Sequence, residues 1–367
     1  MKTKIALDVQ VCLGQRSGVG TYAYELVRRM EPDGDTAYFG ECFNFLGRND
    51  NSEALRDIRL PVHVHQLIPY GFYRNHWDVM PVRYDSLFPK ADITHFFNYT
   101  VPPGVGGKVL CTLFDMTYLR HPETMEPGNL RRIRRDIDQS VRRSDAIITI
   151  SEFSKREIMD LLDVPEEKLR VIYCAAPVPA APAPFDTVRE KFGLQKPYIL
   201  FVGNTEPRKN LLRLLEAYGQ LGDCDVQLVL TGGSGWRSEE IHQKAASLPG
   251  VRLTGYVSEA EKASLFENAA VFAYPSLYEG FGIPVLEAMR CGTPVVCSDA
   301  ASIPEAAGEA ARYVDPLEAS SIAAGLRDVL EHPALADELR EKGYRQERKF
   351  NWDASARALR AVYEELR

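Results

Sequence analysis

Two short segments of this chain put charged side chains where an anion or a diol can be held. The first is ILFVGNTEPRKNLLRLLEAY, in which Arg208 and Lys209 fall after a strand-like run and just before a helix-like one. Cations at a helix N-terminus oppose the helix dipole, so local stability does not explain them. A docked diphosphate would, with arginine as a bidentate fork and lysine as a point charge. The competing reading is two solvated surface cations. The second segment is AVFAYPSLYEGFGIPVLEAMRCGTPVV. Here a strand is predicted to end near Ser276, a Gly-containing loop to run from Leu277 to Ile283, and a helix to follow with Pro284 at its first position, where the missing N–H costs little. Backbone N–H groups around Gly280, Phe281 and Gly282 then lie at a helix N-terminus, a favourable place for an anion. Glu287 is predicted in the first turn, where the dipole favours a carboxylate by roughly 0.3–1 kcal/mol. A carboxylate there can also accept from both hydroxyls of a vicinal diol. Glu279 falls just outside that helix, either as a second ligand-facing acid or as a solvated loop acid.

Both segments follow strands, the end at which open α/β sheets bind ligands. The elements that must position them alternate along nearly the whole chain, as parallel α/β layers do. In the first half KIALDV, VHVHQL, DITHFF, KVLCTLFD and DAIITI read as strands, and TYAYELVRRM as a helix after a Gly-containing loop. Near-continuous apolar runs such as AIITI suit a sheet covered on both faces. AAPVPAAPAPF, with prolines at 177, 179, 182 and 184, interrupts this pattern. Proline fixes φ and lacks an amide proton, so the stretch is an extended, semi-rigid connector or hinge. A second series follows: PYILFVG, NLLRLLEAYGQL, VQLVLTGG, VRLTGYV, AVFAYPS, PVLEAMR and TPVVCSD. The expected organisation is therefore α/β, with one Rossmann-like domain over residues 1–178 and another over 185–348.

Composition removes several classes. The 367 residues are 45% hydrophobic and 26% charged, within the globular range. No run reaches the ~18 apolar residues a spanning helix needs. MKTKIALDVQVCLG opens like a signal peptide, but Asp8 and Gln10 interrupt it and it reads better as a first buried strand. The seven cysteines form no C-x-x-C pair and several sit in apolar strands, which suits reduced buried thiols in a cytoplasmic protein. A formal net charge of −7 argues against a nucleic-acid partner.

EGFGIPVLE, from Glu279 to Glu287, matches the Glu-x7-Glu signature of family 4 of the retaining glycosyltransferases, and VGNTEPRKN resembles that family's Arg-Lys phosphate-binding segment. SGVGTYAYELVRRM, SDAIITISEFSKREI, TGYVSEAEKASLFENAAVFAYPS and FNWDASARALRAVYEELR are also similar to family segments, so the resemblance covers nearly the whole chain. It implies a GT-B fold: two Rossmann-like domains facing across a cleft, an acceptor-side N-terminal domain completed by the last helix over 349–367, and a donor-binding C-terminal domain. By the same resemblance, Arg208 and Lys209 neutralise the leaving diphosphate, Glu287 binds the ribose hydroxyls and Glu279 contacts the transferred sugar. Main chain at Gly280, Phe281 and Gly282 contacts sugar and phosphate, Gly18 and Gly20 form a loop closing over the diphosphate, and Tyr256 and Val257 wall the nucleobase. The family often has His-Asp at the end of a central strand. In TLFDMTYLRHPE, Phe114 stands in the histidine's place and Asp115 remains, as the candidate polar contact near the reacting sugar. His95 matches an upstream family histidine, or is a loop or partly buried imidazole.

No cofactor and no metal is expected. Asp223-Cys-Asp225 fits an Asp-x-Asp metal motif but precedes its strand, the wrong end for ligands. Asp136 and Asp138 lie in an arginine-rich helix, LRRIRRDIDQSVRR, and pair more naturally with its charges. Leu130, Ile133, Ile137 and Val141 form the apolar stripe of that helix. Its basic face suits anionic lipid or a pyrophosphate-linked acceptor, hence a cytoplasmic protein with peripheral contact at the inner membrane face. The resemblance is strongest to bacterial mannosyl- and rhamnosyltransferases of polysaccharide assembly. The expected partners are thus a nucleotide diphosphate sugar, GDP-mannose first, and a saccharide or polyprenyl-linked acceptor, with front-face displacement and retention. Competing functions are a sugar-nucleotide epimerase on the same fold, a catalytically silent sugar-nucleotide-binding protein, and a Rossmann dehydrogenase, the last weakened because GQRSGVGTY lacks G-x-G-x-x-G.

Overall fold

The computed structural model describes residues 2–14, 17–32, 34–51, 53–80, 82–222 and 224–367. They form two compact units. The first comprises Met1–Met116, Pro127–Cys174 and Asn351–Arg367, the second Thr117–Glu126 and Ala175–Phe350. Residues 117–126, from the first half of the sequence, thus cluster with the second unit.

The first unit is built on seven parallel strands: β1 (Thr3–Asp8), β2 (Thr36–Phe43), β3 (Val62–His65), β4 (Ile93–Phe96), β5 (Lys108–Thr112), β6 (Ala146–Thr149) and β7 (Leu169–Val171), in the order β3-β2-β1-β4-β5-β6-β7. β4 and β6 are buried along their full length, as strands of a doubly covered parallel sheet should be. β2, TAYFGECF, escaped the sequence reading because Gly40 and Glu41 break its apolar run. Gly40 is needed there: a Cβ would lie 3.1 Å from Val62 and 3.3 Å from Val9. Glu41 is buried, with the Tyr84 hydroxyl donating to its Oε2 at 2.9 Å. Burial pushes its pKa up to about 8, and that of Asp8, its register partner on β1, to about 6.

The last helix, Trp352–Glu365, packs within the first unit. Asn351 caps it, accepting from the amides of Asp353 and Ala354, and Trp352 meets Tyr22 edge-on at 5.9 Å. His95 on β4 is fully buried, with Nδ1 2.7 Å from the Tyr363 hydroxyl and Nε2 2.9 Å from Thr112 Oγ1. Burial lowers its pKa to about 3, so it is neutral and ties the last helix to the sheet. It is a core residue, not a ligand-facing one.

The second unit has six parallel strands: β8 (Tyr198–Val202), β9 (Gln227–Thr231), β10 (Val251–Gly255), β11 (Val271–Tyr274), β12 (Val295–Ser298) and β13 (Ala311–Val314), ordered β10-β9-β8-β11-β12-β13. The proline-rich connector has no regular structure before the helix Phe185–Phe192. Its start is pinned within this unit: Arg290 donates to the carbonyls of Ala176 at 3.0 Å and Pro177 at 2.7 Å.

Glu41 yields a stability prediction. A folded-state pKa of about 8 against an unfolded value near 4.5 means that the native state holds the extra proton between those limits. Stability must therefore fall as pH rises through that window. Glu41→Gln should flatten that fall in denaturation midpoints between mildly acidic and mildly alkaline buffers.

Candidate functional site

The chemistry-bearing loops of the second unit meet because β8 and β11 are neighbours running in parallel. Their carboxyl ends, and hence the loops after them, emerge at one sheet edge. After β8 the chain makes a 3-10 turn, Pro207–Lys209, and Asn210 takes a left-handed conformation with φ of 61°. The buried Asn210 amide donates to the carbonyls of Pro275 at 3.0 Å and Pro316 at 2.6 Å. A main-chain bond from Leu277 N–H to the Arg208 carbonyl, 2.9 Å, joins the two loops directly.

This pairing assembles an ion cluster. Glu279 accepts from Lys209 Nζ on Oε1 and from Arg208 Nη1 on Oε2, both at 2.7 Å. Arg208 also reaches Glu206 at 3.0 Å and the Tyr278 carbonyl at 2.6 Å. Lys209 Nζ donates to the Tyr274 hydroxyl at 2.9 Å and lies 5.0 Å from that ring's centroid. Glu279 is 7% exposed and Lys209 8%, so these charges are largely out of water. Burial alone would push Glu279 up, but Arg208 and Lys209 outweigh it and hold the carboxyl at about 2. Burial likewise lowers Lys209, opposed chiefly by Glu279. The two alternatives with solvated groups are thus overturned: Arg208 and Lys209 are not surface cations, and Glu279 is not a loop acid in water. The conflict between these cations and the helix behind them is answered within the protein, by Glu279 and Glu206.

The helix after the glycine loop is Ile283–Arg290, with Gly282 at its N-cap. Gly282 has φ of 113°, a conformation side chains resist, so glycine is required for this entry. Pro284 is the second helical residue. Glu287 is the fifth, in the second turn rather than the first, because the helix starts at Ile283. Its carboxylate therefore gains little from the dipole, which acts within the first turn. It pairs instead with Lys262 at 2.8 Å. The Phe281 ring is buried edge-on against Phe350, 5.1 Å away. After β10, Tyr256 is 65% exposed while Val257 is 5% exposed, so Tyr256 offers the larger face.

Gly18, Gly20 and Asp115 belong to the first unit. The two glycines are not in a loop: they occupy the first turn of the helix Gly18–Val27, where Ser17 Oγ accepts from Gly20 N–H. Asp115 accepts from the Tyr99 hydroxyl at 3.2 Å and returns its own N–H to that oxygen at 3.0 Å. Phe114 is buried edge-on against Tyr22, at 5.4 Å. Residues that the sequence reading missed are Glu206, Asn210, Lys262 and Tyr274. Glu206 alone had a local signal, standing two residues before Arg208.

Among the described residues no group of three His, Cys, Asp or Glu side chains is arranged to hold a metal, and no helix is long and apolar enough to cross a membrane. Asp223 lies outside the described residues, Asp225 pairs with Lys196 at 2.5 Å, and Asp136 pairs with Arg135 at 2.6 Å. Among the described residues no cysteine forms a disulfide.

Two Rossmann-like parallel-sheet units, the second with a basic pair and a glycine-led helix at its strand ends, define a GT-B glycosyltransferase. Family profiles agree in both halves: one described as "Glycosyltransferase Family 4" matches residues 16–178, and one described as "Glycosyl transferases group 1" matches 184–346. The chain belongs to this glycosyltransferase family and is a hexosyltransferase. It is 29% identical to the O-antigen chain mannosyltransferase B of Escherichia coli, covering 92% of this chain and 93% of that one. It is 26% identical to the serotype-specific mannosyltransferase WbdA of E. coli over 84% of this chain, and spans 38% of that longer protein. In fold it is similar to sucrose-phosphate synthase of Thermosynechococcus elongatus, with 20% identity, TM-score 0.72, and coverage of 100% of this chain and 99% of that one. It is also similar to Anabaena HepE in complex with UDP and glucose, with 16% identity, TM-score 0.75, and coverage of 99% and 100%.

Removing Glu279 strands the buried Lys209 and takes from the part-buried Arg208 one of its two carboxylates. Glu279→Ala should destabilise the protein by about 3–5 kcal/mol, the range for breaking a buried pair by deleting one partner. Glu206→Ala, which leaves Glu279 on Arg208, should cost about 1 kcal/mol or less. Denaturant midpoints of the two variants test this order.

Proposed function

We propose that the protein is a retaining mannosyltransferase that uses GDP-mannose as donor and a saccharide or polyprenyl-linked saccharide as acceptor. The observation that carries this reading is the convergence of Arg208, Lys209 and Glu279 at one sheet edge. The mannosyltransferase relatives support the choice of sugar. In this account the donor diphosphate takes Arg208 and Lys209 as its counter-ions and Glu279 swings from them to the sugar hydroxyls. Negative charge on the leaving oxygen grows toward the transition state, so two cations in a low-dielectric site stabilise that state more than bound donor. The leaving oxygen takes the acceptor proton on the face it departs from, which retains the anomeric configuration. Glu287 holds ribose, Tyr256 and Val257 flank the base, and main chain at Gly280, Phe281 and Gly282 meets phosphate and sugar. Gly18, Gly20 and Asp115 serve from the first unit. No metal is needed, because the cations do its electrostatic work. The exposed Arg131, Arg134, Arg135 and Arg142 of the helix Pro127–Arg143 fit contact with anionic lipid at the cytoplasmic membrane face.

Radiolabelled GDP-mannose, UDP-glucose and UDP-galactose, each with a mannose-terminated acceptor, provide the test. Transfer should be fastest from GDP-mannose, persist in EDTA, and give an α-linked product by NMR. A β-linked product, or strict dependence on Mg²⁺ or Mn²⁺, would count against the mechanism. Because Glu279 competes with phosphate for the cations, Glu279→Ala should lower turnover at least a hundredfold, about 2.7 kcal/mol, without weakening calorimetric affinity for GDP. Arg208→Ala and Lys209→Ala should lower turnover more than they weaken GDP binding. A Glu279→Ala enzyme that has lost GDP binding would reverse the assignment.

A further inference from the structure

We infer that Lys262 is a positioning residue for the donor: it orients Glu287 and balances its charge so that the carboxylate can accept from a ribose diol, an inference that rests on the ribose role proposed above. Lys262 Nζ lies 2.8 Å from Glu287 Oε1 and 2.8 Å from Glu259 Oε2. Its helix, Glu259–Glu267, is fixed at its start by a reciprocal cap in which Ser258 Oγ accepts from Glu261 N–H and the Glu261 carboxylate accepts from Ser258 N–H. The ammonium is thus delivered from a well-anchored element.

Glu287 depends on that delivery. Its side chain is 12% exposed, and among the described residues Lys262 is its one side-chain partner, which leaves Oε2 to accept from a ligand. Burial raises the Glu287 pKa, and Lys262 is the largest opposing influence. The other charged and titratable groups around it cannot take over. Glu259 is of like sign, and the Cys291 thiol is itself pushed up by burial. Arg290, one turn on, is committed to Glu347 and to the carbonyls of Ala176 and Pro177. Lys262, held between Glu287 and Glu259, has its own pKa raised by them despite burial, so it stays charged. An ionised carboxylate accepts on both oxygens, as a vicinal diol requires, whereas a protonated one must donate from one of them. Without Lys262, the acid would take up a proton at higher pH and turn.

The test uses Lys262→Met, which keeps an apolar stem, Lys262→Arg, which keeps the charge, and Glu287→Ala. Calorimetry with GDP and 2′-deoxy-GDP across mildly acidic to mildly alkaline pH reads the outcome. Wild type should prefer GDP over its deoxy analogue at every pH. Lys262→Met should bind GDP about tenfold more weakly near neutrality, the loss of one charge-assisted hydrogen bond. It should lose its preference over 2′-deoxy-GDP and recover both as pH rises and Glu287 ionises. Lys262→Arg should restore the wild-type profile, an outcome a packing role would not require. If Lys262→Met keeps wild-type affinity, preference and pH profile while Glu287→Ala loses GDP, the positioning role is wrong and the ribose role stands. If Glu287→Ala itself binds GDP normally, the ribose reading fails instead.

Discussion

A buried carboxylate shared by two cations is the interaction on which the second unit of this protein is organised. Taking an ammonium and a guanidinium out of water costs several kcal/mol each unless a counter-ion and hydrogen bonds replace hydration. Glu279 supplies the counter-ion to both, Glu206 supports Arg208, and Tyr274 supplies Lys209 with an oxygen and a ring face. The surrounding structure serves to hold these partners in reach. Adjacent parallel strands β8 and β11 deliver the loops to one edge, Asn210 bonds across to the Pro275 carbonyl, and the Leu277 amide closes on Arg208. Ser302 fixes the Glu279 main chain by donating to its carbonyl at 2.7 Å.

Under the proposed function, the same arrangement would let a basic pair wait for an anionic substrate. Two carboxylates and two cations leave the cluster formally neutral, so it holds no uncompensated charge. In the proposed account, an arriving diphosphate would exchange one anion for another instead of entering a field of bare cations. Such an exchange would lower the net gain from binding, yet leave the cations held in a largely desolvated site, where they would act most strongly on a leaving group. Glu279, once released, would in that account become an acceptor for a sugar hydroxyl. Lys262 pairs with Glu287 in the helix alongside, and by the inference above would do for it what the cations do for Glu279.

Much of this was legible in the sequence because strand, loop and helix follow local rules. Arg208 and Lys209 stood out since their position opposes the helix dipole, and Gly280 to Gly282 since glycine before a proline-led helix marks a tight entry. The connector was legible from its prolines, although its anchoring by Arg290 was not. What could not be read was which distant charges meet. Nothing in the local sequence says that Glu279 faces residues 70 positions earlier, or that Glu287 reaches Lys262. The strand β2 was hidden because Gly40 and Glu41, the residues that make it look polar, are accommodated only by packing against Val9, Val62 and Tyr84. β7 and β13 are edge strands in which only Leu169 and Val314 are buried, so no apolar run marks them. Glu287 lies one residue deeper in its helix than expected, because the helix begins at Ile283, before the proline that seemed to mark its start.

The most direct measurement of the counter-ion exchange is a crystal structure of the protein with a nucleoside diphosphate bound. Phosphate oxygens should lie within hydrogen-bond distance of Arg208 and Lys209, with the Glu279 carboxylate withdrawn from both and turned toward the sugar position. A bound diphosphate that sits elsewhere, with Glu279 still holding both cations, would contradict the account.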